Sequence, residues 1–174
     1  MSPTDTKDFI PPTATDDGRH DFNFITGRWL VSHRRLRKCL QGCTEWENLE
    51  GFQDGALLLG GLGNMNDLVL DGRKPAGMAL RFFKPETRQW SIYWTDSGDG
   101  ALQPPVFGAF ANGVGRFEGA DTHEGRPIRV RSTWSNITLR SARWEQAFSQ
   151  DGGRHWETNW VMALTRPVYP AARY

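Results

Sequence analysis

From Trp29 onward, apolar and polar residues alternate with a period of two, in short runs broken by turn residues. Successive side chains of a strand point to opposite faces, so this pattern predicts strands with one buried face. Candidate strands cover residues 29–38, 44–52, 56–59, 65–70, 77–83, 90–96, 106–110, 115–121, 128–135, 142–149 and 156–165. The breaks carry turn chemistry: Asp71-Gly72, Lys84-Pro85-Glu86-Thr87, Ser97-Gly98-Asp99-Gly100, Asn112-Gly113, Glu124-Gly125 and Asp151-Gly152-Gly153. Asn112-Gly113 is the strongest of these, because both central residues of a type I′ hairpin turn need positive φ. Connections this short cannot hold crossover helices, so the strands pair antiparallel. Only residues 20–26 read as a helical turn. The predicted fold is all-β: an antiparallel meander β-barrel of about ten strands with a short helical turn before the first.

The alternation also assigns faces. Trp144, Gln146 and Phe148 oppose Arg143, Glu145 and Ala147. Ile128, Val130, Ser132 and Trp134 oppose Arg129, Arg131 and Thr133. Trp156, Thr158, Trp160, Met162 and Leu164 oppose Glu157, Asn159, Val161 and Ala163. Charge collects on the second face, which makes it the exterior. Any bulge would invert a list from that point on. The chain holds 8 tryptophans, all in these alternating segments, so the interior is aromatic. Such a barrel either packs solid or encloses one small molecule.

Composition narrows the partners. A length of 174 residues suits one domain, here 22–174, preceded by a polar, proline-bearing arm over 1–21 that is expected to be flexible. A net charge of +1 gives no global attraction for nucleic acid or anionic membranes. The basic run His33-Arg34-Arg35-Leu36-Arg37-Lys38 is faced by acidic residues 44–50, so no nucleic-acid partner is expected. No apolar stretch approaches the roughly 20 residues of a membrane span. The arm lacks a basic start followed by an apolar run, so a cytoplasmic protein is expected. Cys39 and Cys43 flank Leu40-Gln41-Gly42, which reads as a three-residue hairpin loop with Gly42 left-handed. The thiols would face each other across the hairpin mouth and stay reduced. Zinc would need further ligands that the neighbouring sequence does not offer, and no cofactor motif is present.

Gly27-Arg28-Trp29, at the start of the first strand, resembles the calycin superfamily of lipocalins, fatty-acid-binding proteins and nitrobindins. The resemblance implies a tryptophan at the barrel floor, crossed by an arginine from the last strand that closes the barrel by a cation–π contact. Arg166 is the matching residue. A fuller pattern resembles a bacterial lipocalin-like family of unknown function. It comprises residues 21–29, Thr44-Glu45-Trp46-Glu47, Gln89-Trp90-Ser91-Ile92-Tyr93-Trp94, residues 143–148 and Trp156-Glu157-Thr158-Asn159-Trp160. That resemblance covers nearly the whole chain after the arm; it implies a fold but no settled activity. The chain departs from nitrobindins, which continue the first strand with glycines where Leu30-Val31-Ser32-His33 stands here. Nitrobindins bind haem through a histidine near the barrel's end.

Among candidate functional residues, His33 shares the phase of Trp29 and would point inward, where imidazole can bind, orient or shuttle a proton. Alternatively it is a hydrogen-bonded rim residue. Tyr93 and Trp94 face opposite ways, so one of them is inside. Gln146 lies on the aromatic face and must find a partner in protein, water or ligand. The Trp-Glu steps at Glu47, Glu145 and Glu157 place carboxylates outside, where Arg129, Arg131 or Arg143 can pair with them across strands; the phase of Glu45 stays open. Arg81 could meet a ligand carboxylate, as in fatty-acid-binding barrels, although an outward arginine on a strand is commoner. Gly60-Gly61-Leu62-Gly63-Asn64 lacks the rest of a phosphate loop and reads as a bend at the rim.

The leading expectation is binding of one small, largely hydrophobic molecule by His33, Trp94, Trp134, Trp144, Gln146 and Trp160, with Tyr93 and Asn159 entering if phase slips by one. The alternative is a cyclase, isomerase or hydrolase using the same cavity, with His33 and Tyr93 as the working residues. A haem barrel comes third and a solid-cored or dimerising barrel fourth; a homodimer is left open.

Overall fold

The computed structural model describes residues 17–71 and 74–168. Ten strands follow one another as a meander: β1 (Gly27–Leu36), β2 (Trp46–Leu58), β3 (Gly63–Leu70), β4 (Lys74–Lys84), β5 (Gln89–Asp96), β6 (Val106–Ala111), β7 (Val114–His123), β8 (Arg126–Ser135), β9 (Ser141–Ser149) and β10 (Glu157–Thr165). Each pairs antiparallel with its neighbours, and β10 returns to β1 from Leu30↔Thr165 to Arg35↔Trp160. Closure leaves no sheet edge, which is how this architecture avoids edge-to-edge association. The hairpin turns have the expected backbone: Asn112 and Gly113 have φ of 51° and 75°, and Glu124 and Gly125 have 48° and 76°. Asp71 also has positive φ; its expected partner Gly72 and residues 1–16 of the expected arm lie outside the described residues.

Two local expectations are corrected. The segments 44–52 and 56–59 are one strand, β2, in unbroken register with β1 from Gly27↔Gly55 to Leu36↔Trp46. Gly55, which falls between the two expected segments, is a point of close approach, since a Cβ there would lie 2.1 Å from the Ile25 carbonyl oxygen. The strands around Cys39 and Cys43 also end earlier than a tight hairpin would require. Arg37 N–H donates to Glu45 O at 3.0 Å, and residues 37–45 form a loop in which both cysteines are free thiols. Gly42 is left-handed as expected (φ 68°), but so is Leu40 (φ 59°).

One end of the barrel is plugged. A short 3-10 helix, Asn23–Ile25, crosses the floor with Phe22, Phe24 and Ile25 buried. The Phe22 ring meets Trp90 and Phe110 edge-on, with centroids 5.0 and 4.9 Å away. Each such aromatic pair adds roughly 0.5–1.5 kcal/mol to the burial of its area. Trp29 Nε1–H donates to the Phe24 carbonyl at 3.1 Å. Arg166 lies over the Trp29 ring at 3.8 Å and donates to the carbonyls of Phe24 and Arg28 at 2.8 and 3.1 Å. The contact implied by the calycin resemblance is therefore present. Gly27 has φ of 80°, so the glycine before Trp29 is required by backbone conformation at this entry to β1.

The face assignment holds on β8, where Ile128, Val130, Ser132 and Trp134 are all buried. It fails at the start of β10. Pairing jumps from Thr158↔Ala147 to Trp160↔Gln146, so Asn159 is an extra residue in a bulge. Beyond the bulge Met162 and Leu164 are buried as expected; before it the phase inverts. Thr158 is exposed, and Trp156 lies outside with the Arg131 guanidinium 4.1 Å over its ring. Trp46 is likewise covered from outside, by Arg34 at 5.0 Å.

Candidate functional site

The interior is not packed solid. A cavity of about 400 Å³ lies above the plugged floor, within the size range of small-molecule sites. One wall is aromatic: Trp94 on β5, Trp134 on β8, Trp144 on β9 and Trp160 on β10. Trp160 stands perpendicular to both Trp94 and Trp144, with centroids 6.2 and 5.5 Å away.

The other wall is polar and comes from three adjacent strands. Gln53 on β2, Asn66 on β3 and Arg81 on β4 line the cavity, with Asn64 fully buried behind Arg81. Asn66 Nδ2 donates to Gln53 Oε1 at 3.2 Å, and Arg81 Nη1 donates to Asn64 Oδ1 at 3.0 Å. Gln53 Nε2, Asn64 Nδ2, Asn66 Oδ1 and Arg81 Nε are buried without a partner. Leaving such groups unpaired costs about 1–3 kcal/mol each.

Arg81 is the residue whose placement departs most from the commoner reading of the sequence. It faces inward in phase with the buried Ala79 and Phe83, at only 4% exposure. Its guanidinium lies 5.0 Å from the Phe22 ring and 5.9 Å from that of Trp134. Among the described residues no carboxylate forms an ion pair with it. Burial alone pulls its pKa down to about 9, which still leaves it protonated at neutral pH.

Six of the sequence candidates converge on the cavity: Trp94, Trp134, Trp144, Gln146, Asn159 and Trp160 all line it. Gln146 Nε2 donates to Asn159 Oδ1 at 3.0 Å, while Asn159 Nδ2 is left without a partner. Two candidates stand elsewhere. His33 is buried at 1% exposure beside Trp160, whose Nε1–H donates to His33 Nδ1 at 3.1 Å. The neutral ring then carries its proton on Nε2, which has no partner. Desolvation, with a smaller push from Arg35, lowers the His33 pKa to about 4. Tyr93 opposes Leu80 and packs its ring edge-on to Phe82 at 6.2 Å, on the face away from the cavity that Trp94 lines. The two residues named for an enzyme are therefore not brought together. The polar trio Gln53, Asn64 and Asn66 was missed by the sequence reading. Its one signal is the period-two pair Asn64 and Asn66, masked by the neighbouring Asp67, which makes both faces of β3 look polar.

The end opposite the plug carries a covering loop. Glu157, expected outside and paired with arginine, instead accepts from Leu40 N–H at 2.6 Å. Gln150 Nε2 donates to Leu40 O at 3.3 Å, and Gln41 Nε2 reaches both Glu124 carboxylate oxygens at 3.4 Å. The β1–β2 loop is thus tied to the β7–β8 turn and to β10, and Arg35 beneath it stacks over Trp160 at 4.6 Å. On the same end β5 and β6 themselves pair only at Trp90↔Gly108, Ser91↔Phe107 and Ile92↔Val106, and the connection between them runs on along β5 through a Thr95↔Leu102 bridge and Gln103 N–H donating to Trp94 O at 2.8 Å. Elsewhere Glu145 pairs with Arg143 at 2.7 Å on the outside, but along the same strand, two residues away, and not across strands as expected of the Trp-Glu steps. Among the described residues no cluster of three or more His, Cys, Asp or Glu is arranged to hold a metal ion. No protein-family model matches the chain, and no curated protein matches it at a significant level.

Proposed function

We propose that this chain is a calycin-like barrel of the lipocalin type whose activity is to bind one small molecule with a flat, largely apolar body. The observation that supports this best is the preformed cavity of about 400 Å³ with tryptophans on one wall and unpartnered polar atoms on the other. Preformed aromatic walls bind an apolar body without first paying ordering entropy, and a few fixed polar groups set its orientation. The plug covers the floor, so exchange runs past the β1–β2 loop or the connection between β5 and β6 at the other end. Native mass spectrometry of protein purified from its own host, with extraction of whatever is bound, tests this reading. A stoichiometric small-molecule adduct that displaces on heating is expected. A clean mass from the host, together with no shift in Tm across a library of aromatic and aliphatic compounds, would end it.

A further inference from the structure

The outer wall of the barrel is uneven in charge. Met65, Leu80 and Tyr93 stand opposite one another across β3, β4 and β5. Two residues nearer the plug, Phe82, Ser91 and Phe107 form the next row. Two residues farther from the plug, Met78, Thr95 and Leu102 form a third. On β4 and β5 these residues alternate with the cavity-lining Ala79, Arg81, Ile92 and Trp94, so the rows face outward. Ala56 and Leu58 carry two of the rows on to β2. None of these side chains is charged, and Phe107 and Leu102 are 50% and 57% exposed. The other side of the barrel is different: β7, β8 and β9 present Arg116, Glu118, Arg129, Arg131, Arg143 and Glu145. An antiparallel sheet that faces water turns polar residues to it, as those strands do and β3 to β6 do not. Strands about 4.8 Å apart and rows about 6.8 Å apart give the apolar patch an area of roughly 500 Å². Contiguous apolar patches of this size on a monomer are often functional.

Charge around the patch selects its partner. The corner on β2 and β3 far from the plug is acidic, with Asp54 and Asp67. The edge beyond the Phe82 row is basic, with Lys84 on β4 and Arg116 on β7. Asp67, Lys84 and Arg116 are exposed and form no ion pair among the described residues. A two-fold axis lying diagonally in the plane of the patch exchanges the acidic corner with the basic edge. Asp67 of each copy then meets Arg116 of the other, and apolar rows meet apolar rows. The face is complementary to itself, as an isologous interface requires. Two copies would bury about 1,000 Å² in all, the lower bound for a specific interface. We propose that this face joins two copies of the chain in a reversible homodimer, outer sheet against outer sheet. The proposal does not depend on what the cavity binds.

Sedimentation velocity of the full chain from micromolar to millimolar concentration tests it. The sedimentation coefficient is expected to climb from monomer to dimer, with a Kd on the order of 10 µM or weaker for so small an interface. A monomer throughout overturns the proposal. Phe107→Lys puts a charge into the patch opposite Glu118, at a position already half exposed. It and Leu102→Lys should each weaken the dimer roughly tenfold or more, because an ammonium would be desolvated between apolar rows. Leu139→Lys, at 64% exposure in the β8–β9 loop away from the patch, should leave association unchanged. A dimer that survives both Phe107→Lys and Leu102→Lys, or is lost in Leu139→Lys, belongs to another face and overturns the assignment. Thermal melts check that each variant is folded; if Phe107→Lys is not, Leu102→Lys carries the test, since it lies in a connection and not within a strand. Asp67→Arg and Arg116→Asp should each weaken association severalfold and restore it when combined. Failure of the combined variant to restore it overturns the two-fold arrangement.

Discussion

The imidazole of His33 is held neutral, accepting from Trp160 Nε1–H through Nδ1 and shielded from water. In the unfolded chain it would take a proton near pH 6.5, but in the barrel only near pH 4. Between those values the unfolded state binds more protons, so its contribution to stability is complete above pH 6.5 and is lost as pH falls toward 4. At about 1.4 kcal/mol per tenfold, the whole effect is on the order of 3 kcal/mol. Urea midpoints at pH 7, 5 and 4 should fall steeply for the wild type and less steeply for His33→Leu; parallel slopes would remove His33 as the cause. Trp160→Phe strips the hydrogen bond from His33 Nδ1 and should cost about 1–3 kcal/mol at pH 7. The sequence placed His33 on the inward face by phase alone. It could not show that Trp160, far along the chain, occupies the imidazole and stands between it and the cavity.

At the level of elements, the floor plug, the Gly27 entry to β1 and the end of β10 form one closure unit joined through Arg166. Arg166→Ala removes two hydrogen bonds to carbonyls and a stacked cation, and should lower stability by about 2–4 kcal/mol. Arg166→Lys should recover only part of this, because an ammonium cannot reach both carbonyls in a fixed plane. Equal stability of the wild type and Arg166→Ala would show that plug packing closes the barrel without it. Glycines separate two kinds of cost. A methyl group at Gly42 meets nothing within 4 Å and strains only its positive φ, so Gly42→Ala should cost about 1 kcal/mol. At Gly55 the same methyl would strike the Ile25 carbonyl oxygen at 2.1 Å, so Gly55→Ala should displace the plug and cost several-fold more. Similar Tm values for the two variants would contradict the close approach. Alternation located the strands well but split β2 between residues 52 and 56 and inverted Trp156 and Thr158, since one extra residue at Asn159 resets the phase of everything before it.

For the whole molecule, the end of the cavity that faces away from the plug is covered by the β1–β2 loop. The β1–β2 loop is held there by side chains from β10, the β9–β10 connection and the β7–β8 turn. Glu157→Ala removes the 2.6 Å anchor to Leu40 N–H without altering the cavity wall. Stopped-flow tryptophan fluorescence should then show binding and release both accelerated several-fold, with affinity changed less than about twofold, because a gate shifts both rates and not their ratio. Unchanged rates would place the path at the connection between β5 and β6 instead. The largest effects on affinity belong to the interior wall, where buried polar atoms have no alternative partner in solvent.

The alternation of residues along the chain, with its hairpin turns, was enough to establish an antiparallel meander barrel with an aromatic interior, because a strand's facing follows from a period of two and needs no distant information. It also brought out Trp94, Trp134, Trp144 and Gln146 as wall residues, and Arg166 with Trp29 through the calycin resemblance. What it could not supply are the features created by strands meeting across the barrel: the bulge at Asn159, the pairing of His33 with Trp160, the loop clasped by Glu157, and the inward turn of Arg81 toward Asn64. Each depends on which side chains arrive opposite one another after closure, and on how much room the floor plug leaves between them. The polar wall exists only in the closed barrel, where Gln53, Asn66 and Arg81 from three strands share one cavity.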